Sequence, residues 1–435
     1  MAHFSAHKVK ESLNNSIKSL FDRRQDFFNN PSSSFTREKK ISFEQTIIFP
    51  MIAGSDNVDT ELLDYFGEDK LPSQSAMIQR RNQVKPEAFK ELFHDFTRQI
   101  PVAKTYKGYR LVACDGTRLN LPYNSSDKDT FFKCKEDRKG INQLHMNALY
   151  DTLNDIFLDI ELQRIREMDE MGSLCHFFDN GIPSNPSQKW ISLADRGYAS
   201  FNVFAHAIHN NRLFLIRASK SFVDKMCRNH KHLLDANIAD FEITVHIGRR
   251  NTNELKKLDN YHCVPSTRRY DYLEADSNEF ECLKLRVLKF PISETTCEYI
   301  VTNLPSDHFS VDEIKELYHI RWNQETAFRF LKYAGNMVHI HSIKKEFLLQ
   351  EIYAKLTFYN FCSALASSIE ASTKDTSKHK YAVNHTQMQK ICIRFIRGVV
   401  KNVEQLIAKF VEPIRLGRKY IRIIRTQSAD SLAYR

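Results

Sequence analysis

Between residues 105 and 218 short apolar runs of strand length alternate with turn residues and one helix-length segment, and this order constrains the fold most tightly. YRLVACDG is an apolar strand running into a turn at Gly116. LHMNALYDTLNDIFLDIELQR reads as two alternating strands joined by a polar connection, a hairpin. The Ser- and Pro-rich loop IPSNPSQ leads into a strand (WISLADRGY), a helix (FNVFAHAIHN) and another strand (RLFLIRAS). Residues 220–297 form a polar, strand-rich stretch, EYIVTNLP returns to a buried-strand pattern, and SVDEIKELYHIRWNQETAFRFLKYAG reads as one long helix with Ser310 as its N-cap. Strands that alternate with helices in this way predict an α/β class: a mixed sheet flanked by helices, with a β-rich subdomain inserted late.

The flanks are helical. Phe43, Ile47, Ile48 and Ile52 carry an apolar stripe interrupted at Pro50. SAMIQRRNQV forms a second helix, and Phe89, Leu92, Phe93 and Phe96 mark a third. Arg80, Arg81 and Lys85 on the middle helix suit a small DNA-binding domain, and equally the wet face of a plain bundle. The expected organisation is a helical N-terminal DNA-binding domain over 1–104 and a catalytic core over 105–345, with the insertion at 220–297. A helical region over 346–435 completes it, ending in the basic tail IRLGRKYIRIIR.

With 42% hydrophobic and 27% charged residues, the chain is a folding one rather than a disordered one. Its 63 Lys and Arg against 53 Asp and Glu leave a charge of +10, which favours a polyanionic partner such as nucleic acid. No run reaches the ~20 apolar residues of a membrane span, and the polar start lacks a signal-peptide core. The expectation is therefore a cytoplasmic location, without membrane association. The nine cysteines show no zinc spacing and are expected to be free thiols.

Asp115 and Asp195 both close apolar strands, where a sheet rim commonly carries a site. Asp-Gly is also a turn signal and Asp195 also a candidate helix cap. Further along, Tyr318, Arg321, Glu325 and Lys332 follow one another at three, four and seven residues. At about 3.6 residues per turn these offsets keep all four within about a sixth of a helix circumference. Leu317, Ile320, Ala327, Phe328 and Leu331 make the adjoining apolar face, so the polar stripe borders the buried surface; Glu316 falls on the far side. Two-metal phosphoryl transfer needs carboxylates converging on ions about 3.5–4 Å apart, and Asp115, Asp195 and Glu325 are the candidates. Tyr318, Arg321 and Lys332 would then grip phosphate oxygens. Trp322 is expected to pack in the core.

Asp115-Gly-Thr, Asp195-Arg-Gly-Tyr and Tyr318-x2-Arg321-x3-Glu325-x6-Lys332 resemble the signature of DDE transposases of the insertion-sequence family number four. The resemblance is strong over residues 105 to 345 and loose outside them. It implies a ribonuclease H-like core with a β-rich insertion before the Glu-bearing helix. It also implies two Mg²⁺ or Mn²⁺ ions on Asp115, Asp195 and Glu325, with Tyr318, Arg321 and Lys332 on DNA. The implied partners are terminal inverted repeats and target DNA, bound by a homodimer in a synaptic complex, and the implied setting is a prokaryotic nucleoid. Relatives that cut through a DNA hairpin can hold a flipped base against an aromatic of the insertion. Here Tyr261, Tyr270 and Tyr272 are the aromatics available for stacking, since neither tryptophan lies in it. Two other readings remain: a nuclease of the same fold without strand transfer, and a non-catalytic DNA-binding derivative.

Overall fold

The computed structural model describes residues 5–413 except 38, 134–138, 184, 186–187, 368 and 370–380; the basic tail noted above lies outside the described residues. Six helices open the chain: α1 (Ala6–Asp22), α2 (Arg24–Phe27), α3 (Phe43–Ile52), α4 (Val58–Phe66), α5 (Gln74–Arg81) and α6 (Pro86–Gln99). Local chemistry sets their starts. Ser42 and Gln45 form a capping box on α3, Ser73 caps α5, and Pro86 occupies the first turn of α6, where no amide donor is needed.

The strands follow as β1 (Arg110–Leu121), β2 (Phe131–Phe132), β3 (Ile141–Asp151) and β4 (Ile156–Arg164), then helix α7 (Glu170–Asn180) and strand β5 (Trp190–Ala194). Helix α8 (Phe201–His209), β6 (Leu213–Ala218) and α9 (Lys220–Met226) come next. β7 (Ala239–Gly248), β8 (Tyr261–Cys263), β9 (Phe280–Pro291) and β10 (Cys297–Thr302) complete the sheet. β1, β3 and β4 are antiparallel neighbours, while β5 and β6 run parallel to β1. This order, β4-β3-β1-β5-β6, is the ribonuclease H-like arrangement. The sheet does not stop at β6: β10, β9, β7 and β8 continue it to ten strands, so the segment between β6 and β10 shares its ladder.

Side-chain alternation along β1 builds two cores. Leu111 and Ala113 pack with Ile191, Leu193, Leu317 and Tyr318 on one face. Val112 and Cys114 join the larger cluster on the other, with Leu174, Cys175 and Tyr198. After the sheet come α10 (Val311–Ile320), α11 (Asn323–Arg329) and the long α12 (Lys345–Ser367), which is buried along most of its length. The N-terminal helices share the larger core with α12 and β4. Asn360 of α12 satisfies the free edge of β4 twice, accepting from the Phe157 N–H at 2.9 Å and donating to its carbonyl at 2.8 Å. No helix among the described residues is long and apolar enough to cross a membrane.

Candidate active site

Parallel pairing of β1 with β5 sets Cys114 opposite Ala194, so the next residue on each chain, Asp115 and Asp195, come side by side at the rim. Asp115 is not the end of its strand, as the sequence suggested. β1 runs on to Leu121, paired only with β3, because Gly116 serves here as a strand residue opposite Asn147 rather than as a turn. A Cβ at Gly116 would lie 2.4 Å from Glu170 Oε1 and 2.5 Å from His145 Nε2. Glycine is there for close approach. Asp195 caps the turn Arg196–Tyr198 by accepting from the Gly197 N–H at 2.7 Å. Among the described residues its other carboxylate oxygen has no hydrogen bond.

The expected long helix is interrupted. α10 starts on a capping box of Ser310 with Glu313, but at Arg321–Trp322 the hydrogen bonds tighten to i→i−3: Arg321 N to Tyr318 O at 3.2 Å and Trp322 N to His319 O at 3.3 Å. α11 then carries Glu325, and the chain widens into a π turn over Phe330–Ala334 that carries Lys332. Two separate dockings account for the break. Leu317 and Tyr318 of α10 pack under β5, β6 and β10, whereas Gln324 and Asn323 of α11 donate to the Ala148 and Thr152 carbonyls at 2.9 and 3.2 Å. The helical-wheel alignment of the four signature residues therefore does not persist to Lys332.

Arg321 is the hub. Its side chain, 6% exposed, sits 3.6 Å from Asp115 Oδ2 and 4.0 Å from Glu325 Oε1. Tyr318 is 4% exposed and lies beneath the same guanidinium, 5.8 Å from its ring centre. The Arg321 Nε and the Tyr318 hydroxyl are buried donors with no acceptor among the described residues. Unpaired buried donors are costly, so both are ready to take an acceptor beyond the described residues. Lys332 is half-buried, makes no ion pair among the described residues, and has its pKa lowered by burial. Trp322, expected in the core, is 46% exposed, because the break turns its ring outward with the Arg321 guanidinium 5.2 Å from its centre.

The acidic pair is electrostatically loaded. Burial pushes the Asp115 carboxyl up to about 6 and Asp195 and Glu170 add to the rise, while the Gly116 N–H and Arg321 act against it. Asp115 and Asp195 are hard oxygen donors in adjacent positions, which suits a divalent cation that keeps much of its water. Glu325 stands on the other side of Arg321. Among the described residues no group of three His, Cys, Asp or Glu is drawn close enough to enclose a metal. The donor chemistry fits a Mg²⁺- or Mn²⁺-binding pair of aspartates, and the third acid is one guanidinium away.

The basic residues of the N-terminal helices bond to the protein itself. Arg80 and Arg81 are buried: Arg80 donates to the Ile41 carbonyl at 2.9 Å over the Phe35 ring, and Arg81 pairs with Glu351 at 3.0 Å. Lys85 donates to the Asp26 carbonyl at 2.7 Å. Arg80 and Arg81 are thus withdrawn from the surface, whereas the Lys85 contact is exposed. Tyr261 and Tyr270 are likewise buried, bonded to the Arg250 carbonyl and to Glu281, and Tyr272 stacks on His209 at 4.0 Å. Sequence reasoning missed the polar layer behind β1. There His145 meets Glu170 at 3.1 Å and Asn147 at 2.9 Å, and Asn147 donates to Ser173. The only signal for it was Gly116, taken as a turn.

These elements define an α/β protein with a ribonuclease H-like sheet, two aspartates paired by strand register and a glutamate joined to them through one arginine. The family model described as Transposase DDE domain matches residues 106–361, and the chain belongs to that family. No curated protein matches the sequence. Among solved structures, the piggyBac transposase synaptic complex with hairpin DNA, determined by cryo-electron microscopy, is similar with a TM-score of 0.47 and 6% identity. The match covers 92% of this chain and 84% of that one.

Proposed function

We propose that this chain is a cut-and-paste transposase of the insertion-sequence family number four, which hydrolyses DNA at the ends of its element and joins the freed 3′-hydroxyl to target DNA. What carries the reading is that two acids from separate elements, Asp115 and Glu325, contact one buried guanidinium, Arg321, while a third, Asp195, neighbours Asp115 by strand register. Asp115, Asp195 and Glu325 are the residues that would hold two divalent ions. Mg²⁺ or Mn²⁺ there would supply a nucleophile of lowered pKa and charge neutralisation at the scissile phosphate.

The chain's own part is to bind and orient. A phosphate oxygen is the acceptor that the unpartnered Arg321 Nε and Tyr318 hydroxyl lack. A phosphate seated on Arg321 replaces the carboxylates as its partner, leaving Asp115 and Glu325 free to act as ligands. Lys332 adds a second cationic contact. In this reading the partners are terminal inverted repeats and target DNA, engaged by two copies of the chain in a prokaryotic nucleoid.

The test is cutting of DNA that carries the ends of the encoding element, with Mg²⁺ or Mn²⁺, by wild type and Glu325→Gln. The expected outcome is loss of cutting with DNA binding retained. Equal cutting by both proteins refutes the assignment of Glu325. Cutting without joining of a 3′-hydroxyl donor would make the protein a nuclease of this fold instead.

A further inference from the structure

We propose that Arg81, on the last turn of α5, is a positioning residue for the reaction: through Glu351 and Ser342 it fixes the chain that leaves the Glu325 helix. The inference rests on the reading of Glu325 as catalytic.

The stretch after α11 soon leaves regular structure, although Leu331, Met337 and Ile340 still pack in the larger core. The π turn closes with the Gly335 N–H on the Phe330 carbonyl at 2.8 Å, and a Cβ at Gly335 would lie 2.7 Å from the Leu331 carbonyl oxygen, so the chain is already at its closest approach. Met337 and Val338 donate back to the Leu331 and Lys332 carbonyls at 3.2 and 3.1 Å. Beyond them, residues 339–343 form neither helix nor strand. Their polar groups are satisfied elsewhere. The His341 N–H donates to Glu351 Oε2 at 2.9 Å, the Ser342 hydroxyl donates to Glu351 Oε1, and His341 Nε2 reaches the Asp56 carbonyl at 3.0 Å.

Arg81 organises this anchor. Its Nε donates to Gln350 Oε1 at 3.0 Å, its Nη1 to Glu351 Oε1 at 3.0 Å and Ser342 Oγ at 3.3 Å, and its Nη2 to the Phe347 carbonyl at 2.9 Å. The guanidinium also lies 4.8 Å above the Phe347 ring. A planar fork with five donors meets this set of acceptors in a way that an ammonium cannot. A pair serving only to join α5 to α12 would not need the donors on residues 341 and 342, yet Glu351 accepts from both. The segment carrying Lys332, and Glu325 about two turns before it, is thus tethered at its far end through α12 to the N-terminal helices.

The experiment uses the full chain and two variants. Arg81→Met with Glu351→Leu removes both members of the pair together, and the buried Lys355 keeps Glu61 as its opposite charge. Ser342→Ala removes the side-chain link between the segment and Arg81 and Glu351, leaving the α5–α12 pair and the His341 backbone contact intact. Hydrogen exchange of peptides covering 330–344 is measured without metal or DNA, beside DNA binding and metal-dependent cutting. Expected for both variants is exchange at least tenfold faster in 330–344, unchanged exchange in α6 and β1, cutting reduced tenfold or more, and DNA affinity within twofold of wild type. Unchanged exchange in 330–344, or faster exchange with undiminished cutting, overturns the proposal. A wild type that cuts no DNA overturns instead the transposase reading, and with it the catalytic half of this one.

Discussion

Replacing Asp115 with Asn should make the metal-free protein more stable at neutral pH. The carboxyl of Asp115 is raised from 3.8 to about 6, chiefly by burial, with Asp195 and Glu170 adding to it. A folded state that holds a proton more tightly than the unfolded chain loses stability as pH rises from 3.8 through 6, and the full loss stands at pH 7. At about 1.36 kcal/mol per pKa unit, the interval amounts to at most about 3 kcal/mol. The side chain is 24% exposed, so solvent screening makes this a ceiling. Asn is nearly isosteric and cannot ionise, so the variant escapes the penalty. Urea unfolding in EDTA at pH 7 should show Asp115→Asn ahead by about 2–3 kcal/mol, falling to about 1 kcal/mol at pH 4.5 and to near zero below 3.8. Millimolar Mn²⁺ should reverse the order by stabilising only the wild type, which alone keeps both aspartates for the ion. A variant less stable than wild type at pH 7, or an advantage that does not change with pH, refutes the electrostatic reasoning.

Two further perturbations probe the same architecture. Gly116→Ala would put a methyl group 2.5 Å from Nε2 of the buried His145, and a melting experiment should show a loss of about 1–3 kcal/mol that Glu170→Ala only partly restores; full restoration would mean that His145 yields. Burial lowers the Lys355 ammonium to about 8 from 10.5, against the pull of Glu351 and Glu61. The unfolded chain therefore binds more protons between those values, and wild type should gain up to about 3 kcal/mol on Lys355→Met from pH 8 to 10.5. A stability difference that stays flat across that window would count against a buried charge at this position.

Much of the fold could be read from local chemistry, because apolar alternation and capping are local. β5, α8 and β6 lie where the strand–helix–strand pattern of WISLADRGY to RLFLIRAS put them, the hairpin of β3 and β4 spans its predicted run, and Ser310 caps α10. The failures share one cause: partners distant in sequence. Arg81 looked like a surface cation because its acceptor Glu351 lies 270 residues away. The helix break at Arg321–Trp322 has no Gly or Pro to announce it; it follows from docking α10 and α11 on different strands. The same break exposed Trp322. Asp115 and Asp195 were identifiable as candidates, but that they sit side by side is a matter of strand register, which no single-strand pattern contains.

The segment between β6 and β10 contributes β7, β8 and β9 to the same ten-stranded sheet as the acidic pair. β9 is zipped to β10 over six residue pairs, and β10 to β6 over four. A lobe joined to its body by a shared ladder of backbone hydrogen bonds cannot swing on a hinge as a lobe on a linker does. To close over a duplex it would have to shed several of those bonds. The grip on a substrate is therefore preshaped, and accommodation during a reaction falls to the loops at the rim and to the bending of the DNA itself.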